Sequence, residues 1–137
     1  MFRLALAVSV ALASSASAVE LRPIAVRTGT EGLTRLPLTV TNADREAIAC
    51  HAEVAHWYSL ELATVAPGAS AEIELWRDPA TGTLAALNDK RENLPVERLW
   101  CGEVGRAYMT RAQIVLDTAA AEPHVACRAG SERIVCD

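Results

Sequence analysis

The chain has 137 residues, with 13 lysines and arginines against 17 aspartates and glutamates, and a formal net charge of −4. This length suits one domain of ordinary size. A net negative chain repels phosphate backbones, so nucleic acid is excluded as an expected partner, and no basic cluster favours an anionic membrane surface.

The first 18 residues are predicted to be a cleavable secretory signal. A basic start at Arg3 precedes an uncharged run over residues 4–13, and small residues stand at Ala16 and Ala18. This order is typical of an export signal, and the apolar run is about half of the roughly 20 residues that span a bilayer. An uncleaved anchor is the alternative. Cleavage after Ala18 would leave 119 residues with a net charge of −5 and no stable membrane insertion.

The composition after residue 18 refines the expected location. Lys90 is the only lysine, while the other basic residues are arginine and alanine is abundant. This bias is associated with bacterial genomes. We therefore expect an exported protein in the bacterial periplasm or, otherwise, a secreted one.

Short strands separated by turns are predicted along the first half of the mature chain. Residues 21–28 form a first strand, placed at a sheet edge by Pro23. Residues 35–42 alternate, with Leu36 and Val40 on the inward face. Residues 47–62 are ambiguous, because their alanines permit a helix. We prefer a strand that bends near residues 56–59, with Cys50 inward and His51 outward.

The second half continues in the same way. A turn around Pro67 and Gly68 precedes a strand over residues 71–76, in which Ile73 and Leu75 face inward and Trp76 faces outward. Residues 84–94 are irregular and permit one helical turn. Residues 96–101 and 106–116 form a predicted hairpin. A linker over 119–123 leads to a terminal hairpin of residues 124–128 and 132–136.

The four cysteines are predicted to form two disulfides, because an even number in an exported chain is typical of a disulfide framework. Three pairings are possible, and we favour Cys50–Cys101 with Cys127–Cys136. The first pair ties two core strands, and the second closes a short loop around residues 129–131. Zinc binding is disfavoured because no two cysteines lie two to four residues apart. No cofactor is expected.

These elements predict an all-β fold. Residues 19–118 form a single small β-sandwich, loosely immunoglobulin-like, and residues 119–137 form a linker and a C-terminal disulfide hairpin packed on it. Two positions depart from immunoglobulin domains. Leu99 stands where tyrosine is usual, and Trp57 follows Cys50 too closely to be the usual core tryptophan. The likeness concerns architecture and implies no function.

The histidines are the candidate metal ligands, but their spacing does not bring them together. His51 and His56 fall on opposite faces of a strand and about 140° apart on a helix. No Gly-x-Ser-x-Gly motif marks a nucleophile. A small exported enzyme or metal-handling protein that uses His51, His56 and His124 is therefore the alternative interpretation.

The tryptophans support a binding function. Trp57, Trp76 and Trp100 each fall on the face opposite the inward set of their strand, which predicts exposed aromatic surface for a protein or glycan partner. The alternative is that a bulge or a covering segment buries them. A disulfide joining two facing sheets would point Trp57 and Trp100 in opposite directions, so Trp100 is left out of the surface.

We accordingly expect an exported, non-catalytic binding or accessory module with no catalytic residues. Its partner is a protein or a glycan, contacted through one sheet surface. The predicted binding residues are Trp57, Trp76, Tyr58 and His51.

Overall fold

The structure, a computed structural model, describes residues 26–55, 58–117 and 119–137. This part of the chain is nearly all β, as predicted, with ten strands and one four-residue helix. The elements in chain order are β1 (Arg27–Thr28), β2 (Thr34–Asn42), β3 (Ile48–Val54), β4 (Tyr58–Val65), β5 (Ser70–Arg77), β6 (Leu84–Leu87), β7 (Glu92–Glu103), α1 (Ala107–Thr110), β8 (Ala112–Ile114), β9 (His124–Ala129) and β10 (Ile134–Cys136).

Some segments predicted from the sequence fall wholly or partly outside this range. The predicted signal, residues 1–18, lies outside the described residues, as does most of the predicted first strand. Within the described ranges, no helix is long and apolar enough to cross a membrane.

Strand β7 belongs to two sheets. Its first residues pair with β1 and β6, and its later residues pair with β3 and β8. The strands run in the order β10-β9-β2-β5-β6-β7-β3-β4. We call β10, β9, β2, β5, β6, the start of β7 and β1 the first sheet, and β4, β3, the rest of β7 and β8 the second sheet.

A bulge lies where β7 passes between the sheets. Pro95 is the last β7 residue that pairs with β6. Val96 then lies opposite Val54 and Arg98 opposite Glu53, which leaves Glu97 as an extra residue on β7. An extra residue bends a strand and increases its local twist. The bulge therefore marks the point at which β7 leaves the first sheet.

One core receives side chains from both sheets. The predicted alternation is confirmed in β2 and β5, where the inward residues Leu38 and Leu75 are fully buried. In β3, Ile48 and Ala52 are buried on the same side as Cys50. The described residues of the 47–62 segment therefore belong to strands β3 and β4 rather than to a helix. They form two strands that pair antiparallel rather than one bent strand, and the predicted bend near residues 56–59 lies partly outside the described residues.

Both predicted disulfides are confirmed, and each joins register partners on neighbouring strands. Cys50 on β3 lies opposite Cys101 on β7, and Cys127 on β9 lies opposite Cys136 on β10. The Cys50–Cys101 bond thus lies within the second sheet and does not join two facing sheets. The immunoglobulin-like sandwich is not confirmed. The prediction that Trp57 and Trp100 point in opposite directions assumed a disulfide between facing sheets, and this assumption does not hold.

Two segments differ from their predicted form. Residues 84–94 contain β6 and the start of β7, joined by a turn in which the Asn88 side-chain oxygen accepts hydrogen bonds from the amides of Lys90 and Glu92. The predicted strand over 106–116 begins instead as α1, and only β8 pairs with β7. The terminal hairpin forms as predicted, and β9 extends the first sheet by pairing in parallel with β2.

Candidate functional site

An aromatic and polar row crosses the outer face of the second sheet. Cys50 and Cys101 are buried on the inner face, so their chain neighbours His51 and Trp100 lie on the outer face of paired strands. The two rings stack, with centroids 4.3 Å apart and planes inclined by 18°. Glu61 on β4 lies opposite His51. The row therefore places an imidazole between a carboxylate and an indole.

Helix α1 covers the end of this row. Tyr108 meets Trp100 edge-on at 6.3 Å, and the Arg111 guanidinium lies 3.9 Å from the centre of the Tyr108 ring. The helix approaches this closely because Gly102 has no side chain. A Cβ there would lie 2.0 Å from the carbonyl oxygen of Ala107. Trp100 is consequently only 7% exposed, so the prediction that it is exposed is wrong although its outward direction is right.

The environment of His51 favours its neutral form. Burial lowers the pKa of His51 below its ordinary value of 6.5, and the negative charge of Glu61 opposes that shift only in part. The unfolded chain therefore binds a proton at His51 at a higher pH than the folded chain does. Stability from this group is present above pH 6.5 and is lost as the pH falls from there through the folded-state pKa.

Glu61→Gln is expected to lower the pKa of His51 further, because it removes the charge that favours the imidazolium. Proton NMR titration of the His51 ring measures this directly. Glu72→Gln, on the first sheet, is the matched control and should leave the titration unchanged. An unchanged or raised His51 pKa in Glu61→Gln would contradict the electrostatic coupling.

A groove runs beside the aromatic row. Its volume is about 670 Å³, and the exposed rings of Tyr58 and Tyr108 line it together with Trp100. Glu53 and Arg98 also line it, face each other across β3 and β7, and form an ion pair at 3.7 Å. The groove thus combines two accessible aromatic rings with a carboxylate and a guanidinium that can exchange hydrogen bonds with a ligand.

One donor beneath this surface is unsatisfied. Among the described residues, the indole N–H of Trp100 has no hydrogen-bond partner although it is buried. A buried donor without an acceptor costs about 1–3 kcal/mol. Native structures contain few such groups, and each calls for an explanation.

The predicted binding residues do not all lie together. Tyr58 lines the groove, and His51 stacks on Trp100, which lines it too. Trp76 lies on β5 of the first sheet, where it is half-buried and its indole N–H donates to Glu74 at 3.2 Å. Trp57 lies outside the described residues. The residues that sequence reasoning missed are Trp100, Tyr108 and the Glu53–Arg98 pair.

The histidines are dispersed over the described part of the chain. His51 lies on β3, and His124 lies on β9, where its Nε2 is 2.9 Å from the Thr41 hydroxyl oxygen. His56 lies outside the described residues. In the described ranges, the one group of three metal-ligating side chains that converge is Cys101, Cys127 and Cys136, and all three are in disulfides.

A second concavity, of about 420 Å³, lies at the crossing of β7 between the sheets. Apolar side chains such as Leu33, Ala85 and Leu94 line much of it. Arg27 and Asp78 are its charged lining residues in the described ranges. It offers fewer hydrogen-bonding groups than the groove does, and the groove is the better candidate for specific recognition.

Comparison of the chain with protein-family models, curated proteins and solved structures finds no significant match.

Proposed function

We propose that this chain is an exported, non-catalytic binding or accessory module that contacts a protein or glycan through the groove beside the aromatic row on its second sheet. The groove between Tyr58 and Tyr108 carries the proposal. These side chains are 57% and 62% exposed on one concave surface. Tyrosine supplies a rigid apolar ring and a hydroxyl, a combination that binding surfaces favour.

The unsatisfied Trp100 indole supports the same site. A ligand whose acceptor reaches this N–H would remove the cost of its burial. In the neighbouring ion pair, the Glu53 carboxylate can accept hydrogen bonds from hydroxyl or amide groups, and the Arg98 guanidinium can donate hydrogen bonds to them. Both glycans and peptides offer such groups.

Export and architecture belong to this proposal. The two disulfides are consistent with an oxidising compartment, for which the periplasm is our preferred assignment. We also propose a loosely immunoglobulin-like sandwich, supported by the burial of side chains from both sheets in one core.

Tyr58→Ala combined with Tyr108→Ala is expected to weaken partner binding about tenfold or more, because aromatic anchors dominate binding energy. Both side chains are more than half exposed, so the free energy of unfolding should fall by only about 1–2 kcal/mol, mainly from loss of the contact between Tyr108 and Trp100. Binding is measured on a glycan array and by capture of proteins from the exported fraction.

Val115→Ala removes an exposed apolar side chain elsewhere and is the matched control, expected to bind as the wild type does. Trp57→Ala and Trp76→Ala test whether the surface extends to the sequence-predicted residues. A double tyrosine variant that binds its partner with wild-type affinity would show that the groove is not the binding surface.

A further inference from the structure

The two disulfides meet in the core. The sulfur atoms of Cys101, Cys127 and Cys136 all lie within 4.8 Å of one another, although the Cys50–Cys101 bond belongs to the second sheet and the Cys127–Cys136 bond to the first. A bonded sulfur pair is about 2.05 Å apart, so a shift of about 3 Å brings a sulfur of one disulfide to the other. Exchange between them requires only local motion.

The four cysteines differ in their access to solvent. Cys50, Cys101 and Cys127 are at most 1% exposed, whereas Cys136 is only partly buried. Cys136 also lines an open cleft of about 220 Å³, together with Asp117 on the chain after β8. A reagent from solvent therefore reaches the sulfur cluster first at Cys136.

We infer that Cys136 is a thiol-exchange site whose opening is relayed to the Cys50–Cys101 disulfide. The thiolate of an external dithiol attacks the Cys136 Sγ and forms a mixed disulfide. The Cys127–Cys136 bond breaks, and Cys127 leaves as a thiolate. Attack of a thiolate on a disulfide sulfur is the general route of such exchange.

The second step lies inside the protein. The Cys127 thiolate attacks the Cys101 Sγ, so that a Cys101–Cys127 bond forms and the Cys50–Cys101 bond breaks. Cys50 leaves with the electron pair and takes a proton from water. The second thiol of the reductant then attacks the mixed disulfide at the reductant's own sulfur. Cys136 leaves as a thiol, and the reductant ends as an internal disulfide. Two electrons have passed from the dithiol to the protein.

The product has a different connectivity. A Cys101–Cys127 bond joins β7 to β9, whereas both original bonds join neighbouring strands. The carboxylate of Asp117 lines the cleft and disfavours thiols whose carrier is negatively charged, while Asp137, which also lines it, is ion-paired with Arg128. The reactant class is therefore a neutral dithiol or a dithiol on a protein surface that is not acidic.

The wild-type protein tests the relay under native conditions. It is treated briefly with dithiothreitol, quenched with acid, alkylated and digested after arginine. Cleavage at Arg98, Arg106, Arg128 and other arginines places each cysteine in its own peptide. The first reduced species should contain a Cys101–Cys127 link with Cys50 and Cys136 alkylated. An intact Cys50–Cys101 link with Cys127 and Cys136 alkylated would overturn the relay.

Two variants separate the steps. Cys136→Ser leaves Cys127 as a permanent thiol beside the buried disulfide, and mapping should again find Cys101 linked to Cys127. In Cys127→Ser with Cys136→Ser, the remaining disulfide should be reduced about tenfold more slowly than the first disulfide of the wild type, because its sulfurs are inaccessible. Equal rates would mean direct access to Cys50–Cys101 and would also overturn the proposal.

Discussion

Gly102→Ala is expected to destabilise the protein by about 3 kcal/mol, the upper end for adding a methyl group to close-packed structure. The new Cβ would lie 2.0 Å from the Ala107 carbonyl oxygen and 2.7 Å from its Cα, so the backbone of α1 must move. Movement of α1 removes the hydrogen bond from the Glu103 amide to the Thr110 hydroxyl and uncovers Trp100. Urea unfolding measures the loss, and acrylamide quenching of tryptophan fluorescence measures the exposure.

Gly68→Ala is the matched control. Gly68 has a φ of 71° in a turn, and nothing lies within 4 Å of a Cβ built there. Alanine should therefore cost only the backbone strain of a left-handed residue, about 1 kcal/mol, with no increase in quenching. Equal destabilisation by the two substitutions would show that close contact with α1 is not the cause.

Removal of the Cys50–Cys101 disulfide is expected to cost about 4 kcal/mol. The bond joins residues 51 positions apart, and its loss gives the unfolded chain the entropy of that loop. The double variant Cys50→Ala with Cys101→Ala tests this cost without leaving a free thiol. The measurement is the free energy of unfolding in urea under non-reducing conditions.

The second disulfide provides the comparison. Cys127 and Cys136 are nine positions apart, so removing both sulfurs should cost about 3 kcal/mol, less than removal of the longer bridge. Both disulfides join register partners on adjacent strands, so the two double variants compare bridges that differ mainly in the length of the loop they close. A larger loss from the shorter bridge would mean that packing around the sulfurs outweighs loop entropy.

The sequence allowed the strands with a clear period of two to be predicted. In β2 and β5, Leu38 and Leu75 alternate with polar neighbours, and side-chain direction in a strand depends only on parity. The disulfide pairing also followed, because few pairings are possible among four cysteines. Such features are local or few in number, so they do not require knowledge of the tertiary contacts.

The second sheet could not be predicted in the same way. Parity showed that Trp100 points outward, but not that a four-residue helix lies on it. A helix this short has no periodic pattern to recognise. Gly102 was the available signal, since a glycine in a strand can mark a close approach of another backbone.

The candidate site was partly accessible from sequence. The sequence predicts Tyr58 and His51 as binding residues, and the structure places Tyr58 at the groove and His51 against Trp100. The pairing of Glu53 with Arg98 depends on the register of β3 with β7, which has a bulge beside it. Trp76 matched the same parity rule but lies on β5, because parity gives the face of a strand and not the sheet to which it belongs.

The division of β7 between two sheets has a consequence for folding. Neither sheet is complete without this strand, whose partners include Arg27 on β1, opposite Asn93, and Ile48 on β3, opposite Glu103. Pairings between residues so distant in sequence slow folding, because loop-closure entropy is lost before the contacts form. We therefore expect one cooperative unfolding transition in which the two sheets melt together, and slow refolding limited by the docking of β7.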